Sequence, residues 1–157
     1  MLRRTQNIMS IVVVVLCLFS CGQLSEEDEL LLGLEGLEEL DMNQHSAVLI
    51  LPSVGCAGCI SSVEQFVKDK KFSNLLLILT NTMSRKDAEH RLGLIDPNCK
   101  YYFDAQKEFF IANKEESAYP VIIYLDKDKI TSSEMEFISP ENAEALFNLE
   151  THLYDTM

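Results

Sequence analysis

Lysine and arginine are scarce in this chain: 13 basic residues stand against 25 acidic ones, for a formal net charge of −12. Apart from Arg3 and Arg4 the only arginines are Arg85 and Arg91, in one segment interleaved with Asp87 and Glu89. No basic stripe is available to neutralise phosphates, so nucleic acid is not an expected partner. A bilayer-spanning run is also missing. The apolar stretch from Ile8 through Phe19 is shorter than the roughly 20 residues a spanning helix needs, and acidic sequence follows soon after. There is no internal repeat and no low-complexity segment beyond one short acidic run. Paired metal ligands are lacking as well: Cys99, His45, His90 and His152 are scattered singly, whereas zinc wants a second ligand pair at matching spacing. Neither a metal nor a cofactor is expected.

What the amino terminus does contain is Arg3 and Arg4, the apolar run, and then Leu18-Phe19-Ser20-Cys21, the three-part layout of a secretory signal. That ending resembles the lipobox of bacterial lipoproteins, in which a small residue precedes a Cys that receives lipid and becomes the first residue of the mature chain. Phe19 is bulkier than the residue usual two places before that Cys. The resemblance implies a signal peptide over residues 1–20 and lipid on Cys21; the alternative is an ordinary signal with an unmodified Cys21. Because one acyl chain holds a protein only marginally at a membrane, the several carried by lipoproteins give the motif a physical purpose. The acidic run Ser25 to Glu29 reads as a solvated tether. It also resembles an export signal that some Gram-negative bacteria use for lipoproteins, and Gly22 in place of Asp argues against retention in the inner membrane. The expected location is the bacterial cell envelope, at the outer membrane on its periplasmic or surface face. Without residues 1–20 the chain keeps 137 residues, with 11 basic against 25 acidic and a formal charge of −14, enough for one domain with its own core.

Leu30, Leu34, Leu37 and Leu40 recur at helical spacing and predict a short amphipathic helix over 29–40, in which Gly33 and Gly36 each cost about 1 kcal/mol relative to Ala, so packing must hold it. Residues 21–40 are read as the lipidated tether and this helix, and 41–157 as the domain. Ala47 to Leu51 and Leu75 to Leu79 are uninterrupted apolar runs that suit strands buried on both faces. Between them Ile60, Val63, Phe66 and Val67 fall on one helical face. Ser84 with Asp87 three residues on predicts a capped helix ending near Gly93. Tyr101 to Phe103 reads as a short strand and Ala105 to Ala112 as a helix. Val121 to Leu125, a polar turn over 126–129 and Ile130 to Phe137 form an antiparallel hairpin. Ser139 as N-cap and Pro140 at the first position predict a closing helix whose apolar side is Ala143, Leu146, Phe147 and Leu153. The order predicts an α/β fold with a central mixed sheet covered by helices.

The chemistry concentrates at Cys56-Ala57-Gly58-Cys59, where the first buried strand turns into an amphipathic helix. At a helix start, unpaired N–H groups and the positive dipole end favour a thiolate, so Cys56 is the expected nucleophile. Cys59, one turn on and more shielded, is the expected resolving thiol, through a mixed disulfide. A purely stabilising disulfide is the plainer reading, but a loop of about 4 residues gives only about 2 kcal/mol in the chain-entropy model.

With its buried strand leading into this pair, Tyr119-Pro120 before the strand Val121 to Leu125, and the ending Leu125-Asp126-Lys127-Asp128-Lys129-Ile130, the chain over residues 40–155 resembles the thioredoxin superfamily, in particular its membrane-tethered thiol-disulfide oxidoreductases. The resemblance implies a thioredoxin-like fold with Pro120 cis against the Cys pair and Tyr119 contacting substrate. Two features depart from the family pattern. Gly55 stands where an aromatic usually precedes the first Cys, and Leu49, Ile50 and Leu51 leave no carboxylate on the preceding strand to assist proton transfer. Cys99 is expected to be inert.

The expected function is disulfide exchange with cysteines of exported proteins, with electrons from a membrane or periplasmic donor. Two rivals stand beside it. A peroxiredoxin-like peroxidase would fit Ser53 three residues before Cys56, but its Pro is misplaced and no Arg follows Arg91. A non-catalytic lipoprotein could use the same fold to bind a partner.

Overall fold

A computed structural model of the chain describes residues 33–34, 42–82, 84–93, 100–109, 118–126 and 129–157. After a 3-10 turn at Met42–Gln44 the elements are β1 (Ala47–Pro52), α1 (Ala57–Asp69), β2 (Leu75–Thr80), α2 (Arg85–Leu92), β3 (Lys100–Asp104), β4 (Val121–Asp126), β5 (Lys129–Phe137) and α3 (Ala145–Asp155). The five strands form one sheet in the order β3-β2-β1-β4-β5. β1, β2 and β3 run parallel, while β4 lies antiparallel to β1 and β5 antiparallel to β4. This mixed sheet, flanked by α1, α2 and α3 among the described residues, is an α/β architecture compatible with a thioredoxin-like fold.

The all-apolar runs form the middle of the sheet because every residue of β1 and β2 is buried. Alternation then sends Leu49 and Leu51 to one face and Val48 and Ile50 to the other. The first face meets all three helices. α1 contributes Cys59, Ile60, Val63, Phe66 and Val67, α2 contributes Ala88 and Leu92, and α3 contributes Ala145, Leu149 and Leu153. Stepping from β1 to β2 to β3 in one direction through right-handed crossovers puts α1 and α2 on the same side. The opposite face buries Leu34 and Phe109 against Val48, Ile50, Leu76 and Ile78. Each fully buried Leu, Ile or Phe is worth about 1.5–3 kcal/mol over an exposed one.

Local signals set several boundaries. Ser84 Oγ accepts the N–H of Asp87 at 3.3 Å to cap α2, and Gly93 closes it in the left-handed region, with φ 66°. Asn74 fastens α3 to the start of β2, its Nδ2 donating to the carbonyl of Leu153 at 3.0 Å and to Thr156 Oγ1 at 3.1 Å. An ion pair between Lys70 and Glu150 joins the end of α1 to α3.

Three expectations need correction or restriction. α3 begins at Ala145, not at Ser139 and Pro140. Asn142 N–H donates to the carbonyl of Ser139 at 3.1 Å while its side-chain amide donates to the carbonyl of Phe137 at 3.1 Å, so 139–144 turns before the helix starts. The buried face of α3 is therefore Ala145, Leu149 and Leu153, with Phe147 exposed. Residues 105–109 form bends and a turn rather than a helix, because the buried Asp104 carboxylate draws in the N–H groups of Glu108 and Phe109, each at 3.0 Å; the rest of the helix expected over 105–112 lies outside the described residues. Of the helix expected over 29–40, Gly33 and Leu34 are described; both are helical and Leu34 is buried.

Candidate functional site

Cys56 occupies the N-cap of α1, extended at φ −63°, ψ 98°, and its Sγ accepts the N–H of Cys59 at 3.3 Å. The two sulfurs lie 2.20 Å apart, with Cα atoms 5.3 Å apart. Cys56 is half-buried, whereas Cys59 is 7% exposed in the core beneath α1. Cys56 is thus the more exposed of the two residues and Cys59 the more shielded. The pair sits at the C-terminal ends of the parallel strands, where β1 meets the start of β4 through Ile50 opposite Val121.

The turn that delivers Cys56 is built around Gly55. Its φ is +149°, and a Cβ there would stand 2.1 Å from the carbonyl oxygen of Ala118. That same carbonyl accepts the N–H of Cys56 at 2.8 Å. An aromatic residue at 55 has no room here, which accounts physically for the departure noted in the sequence. Two residues before Gly55, Ser53 N–H donates to the carbonyl of Thr80 at 3.2 Å, and its hydroxyl donates to the carbonyl of Asn81. The turn is tied to β2 on one side and to the 118–120 segment on the other.

Tyr119 packs half-buried against the helix-bearing core, as Cys56 does, and Pro120 is buried, its carbonyl accepting the N–H of Ile138 at 2.9 Å. The described peptide bonds are all trans, so the expectation of a cis Pro120 is corrected. The hydrogen bonds of Ala118 and Pro120 to Cys56 and Ile138 are made with Pro120 in the isomer that tertiary amides ordinarily prefer.

Beside the sulfurs runs a groove of about 360 Å³. Its walls are the exposed side of the first turns of α1, Gly58 and Ser62, and the segment from Ile138 through Ser139, Pro140 and Asn142 to Leu146. Tyr119 and Pro120 are not among the residues lining it. The sequence had pointed to the 118–120 side of the pair and missed the 138–146 side, which tertiary packing alone brings opposite Gly58 and Ser62.

The far wall is fixed by Glu136 on β5. Its carboxylate accepts Tyr124 Oη at 2.8 Å, Asn142 Nδ2 at 2.9 Å and Asn148 Nδ2 at 3.3 Å, joining β4, the groove wall and α3. Burial, and next the hydrogen bond to Glu136, push the Tyr124 phenol well above its ordinary value. The one buried carboxylate among the described residues is Asp104, at the end of β3, two strands from β1. It is engaged by Thr80 Oγ1 at 2.6 Å and by the two backbone N–H groups of its turn.

The remaining candidates do not join this site. His152 Nε2 lies 3.1 Å from the carbonyl of Ser46 and its ring meets Tyr124 edge-on, while His90 is exposed on α2. Among the described residues no group of three or more His, Cys, Asp and Glu could hold a metal ion, and no helix is long and apolar enough to cross a membrane. Cys21 and Cys99 lie outside the described residues. A scan against protein-family models, a search of curated proteins and a search of solved structures each return no match to this chain.

Proposed function

We propose that this chain is an extracytoplasmic thiol-disulfide oxidoreductase of thioredoxin-like type, anchored in the bacterial cell envelope through lipid on Cys21, exchanging disulfides with cysteines of exported proteins. The observation that carries the reading is the asymmetry of the pair: Cys56 half-exposed at a helix N-cap and facing a groove, Cys59 buried one turn behind at bonding distance.

In the reducing direction the Cys56 thiolate attacks one sulfur of a substrate disulfide. The substrate S–S bond breaks, one substrate thiolate leaves and takes a proton, and Cys56 is held in a mixed disulfide. Cys59 then gives up its proton and attacks Cys56 Sγ, releasing the second substrate thiol and closing the Cys56–Cys59 bond. Two electrons pass from the pair to the substrate, and a dithiol donor of the envelope restores them. Helix-start N–H groups, including that of Cys59, favour the thiolate on Cys56 in this cycle. Tyr119 and Pro120 lie outside the groove lining and serve the site through their segment, whose backbone receives the N–H groups of Cys56 and Ile138; contact of Tyr119 with a bound substrate is part of the same proposal. With Asp104, the one buried carboxylate among the described residues, two strands from β1, the Cys59 proton passes to solvent or to the leaving thiolate.

Full-length protein in a nonionic detergent, supplied with dithiothreitol, should reduce insulin disulfides at a rate at least about tenfold above a Cys56→Ser variant. Equal rates for the two proteins would remove the catalytic reading and leave a thioredoxin-like scaffold that binds without turnover.

A further inference from the structure

The walls of the groove share a property that the composition alone does not reveal. Between Arg4 and Lys68 the sequence has no Lys or Arg, and from Ile130 to Met157 it has none. Both walls fall within these stretches: Gly58, Cys59 and Ser62 on α1, and 138–146 opposite. The lining itself is uncharged.

The carboxylates around it divide into two sets. Glu64 on α1 is paired with Arg91, Glu150 on α3 with Lys70, and Glu136 is engaged by Tyr124, Asn142 and Asn148. Glu141 and Glu144, by contrast, are exposed and flank the lining residues Asn142 and Ala143, and among the described residues neither enters an ion pair. Two exposed carboxylates without an ion pair among the described residues therefore adjoin the groove lining, on a protein that is acidic overall.

Resting on the oxidoreductase reading, we infer that this site selects basic partners: protein segments with Lys or Arg next to the reacting cysteine, chosen by Glu141 and Glu144 as specificity-determining carboxylates. A substrate segment laid in the groove brings its flanking side chains to the rim, where a cation is attracted and a carboxylate repelled. Hydrogen-bonding and apolar surface from Ser62, Asn142 and Leu146 accepts the uncharged remainder, since peptide backbone needs both.

Two small disulfides test this, cystamine with two ammonium groups and 3,3′-dithiodipropionate with two carboxylates. Reduced Cys56 attacks either one, a probe thiolate leaves, and Cys59 closes the pair with release of the second thiol, so each turnover yields two thiols and one oxidised pair. With the full-length chain pre-reduced in nonionic detergent, single-turnover rates are measured from about 20 mM to about 0.5 M salt, over which screening shortens from roughly 20 Å to 4 Å. The cystamine to dithiodipropionate rate ratio should fall about tenfold across that range. At low salt Glu141→Gln with Glu144→Gln should lower the ratio at least about threefold; both positions are exposed, and using a ratio cancels the intrinsic reactivity of each probe. A ratio indifferent to salt, or one unchanged in the double variant while both probes are still reduced, overturns the inference and leaves the oxidoreductase reading standing. If neither probe is reduced faster than by Cys56→Ser, that reading falls and the inference with it.

Discussion

The carbonyl oxygen of Ala118 lies 2.1 Å from where a Cβ on Gly55 would stand. Two segments 63 positions apart in the sequence thus meet without room for a single methyl group, and the same carbonyl receives the Cys56 N–H at 2.8 Å. Gly55→Ala must push the 118 segment away or bend the turn out of a backbone region that L-residues rarely adopt. The expected cost is about 3 kcal/mol, seen as a Tm lower by roughly 10 °C in thermal denaturation. A shift below about 2 °C would mean that the turn does not need its glycine.

The revised start of α3 gives a second test. Leu149 is fully buried beneath the sheet, whereas Phe147, two residues earlier and larger, is 71% exposed. Leu149→Ala should cost about 2–5 kcal/mol in denaturant unfolding and Phe147→Ala less than about 0.5 kcal/mol. The reverse ranking would restore the apolar face read from the sequence.

That misreading shows where the sequence speaks and where it does not. β1, β2, the β4–β5 hairpin and the cap of α2 were legible because each is specified by neighbours: an apolar run, two strand runs around a polar turn, a serine before a helix. Cys56 and Cys59 were legible for the same reason, being one helical turn apart. Ser139 and Pro140 carry an equally good local signal for a helix start, yet Asn142 is bonded back to Glu136 and Phe137, and those contacts decide the backbone. Asp104 similarly overrides the helical pattern after β3 by gathering the N–H groups of its own turn. The role of Gly55 depends on Ala118, and the second wall of the groove on the docking of α3, so neither could be read from a local pattern.

Tyr124 makes alkaline stability depend on one phenol. Burial and the Glu136 hydrogen bond raise its folded pKa above the unfolded value near 10, so above pH 10 the unfolded chain loses this proton first. Its contribution is fully present below pH 10 and is lost as the pH rises through the folded value. Denaturation midpoints should fall above pH 10 in the parent protein, and Tyr124→Phe should flatten that fall. An identical pH profile in the variant would assign the loss to other groups.

Lipid on Cys21 is tested apart from the redox chemistry. In cells grown with labelled palmitate the parent protein should carry label and pellet with membranes, and Cys21→Ala should lose both properties. Label retained by the variant would place the anchor elsewhere.

The most direct test of the central claim is a trap. Without its resolving thiol, a Cys59→Ser variant expressed in the cell envelope should be caught as mixed disulfides through Cys56, visible as high-mass adducts on non-reducing gels. Dithiothreitol should collapse these adducts, and Cys56→Ser with Cys59→Ser should not form them. An absence of adducts, or the same adducts in the double variant, would contradict disulfide exchange at Cys56.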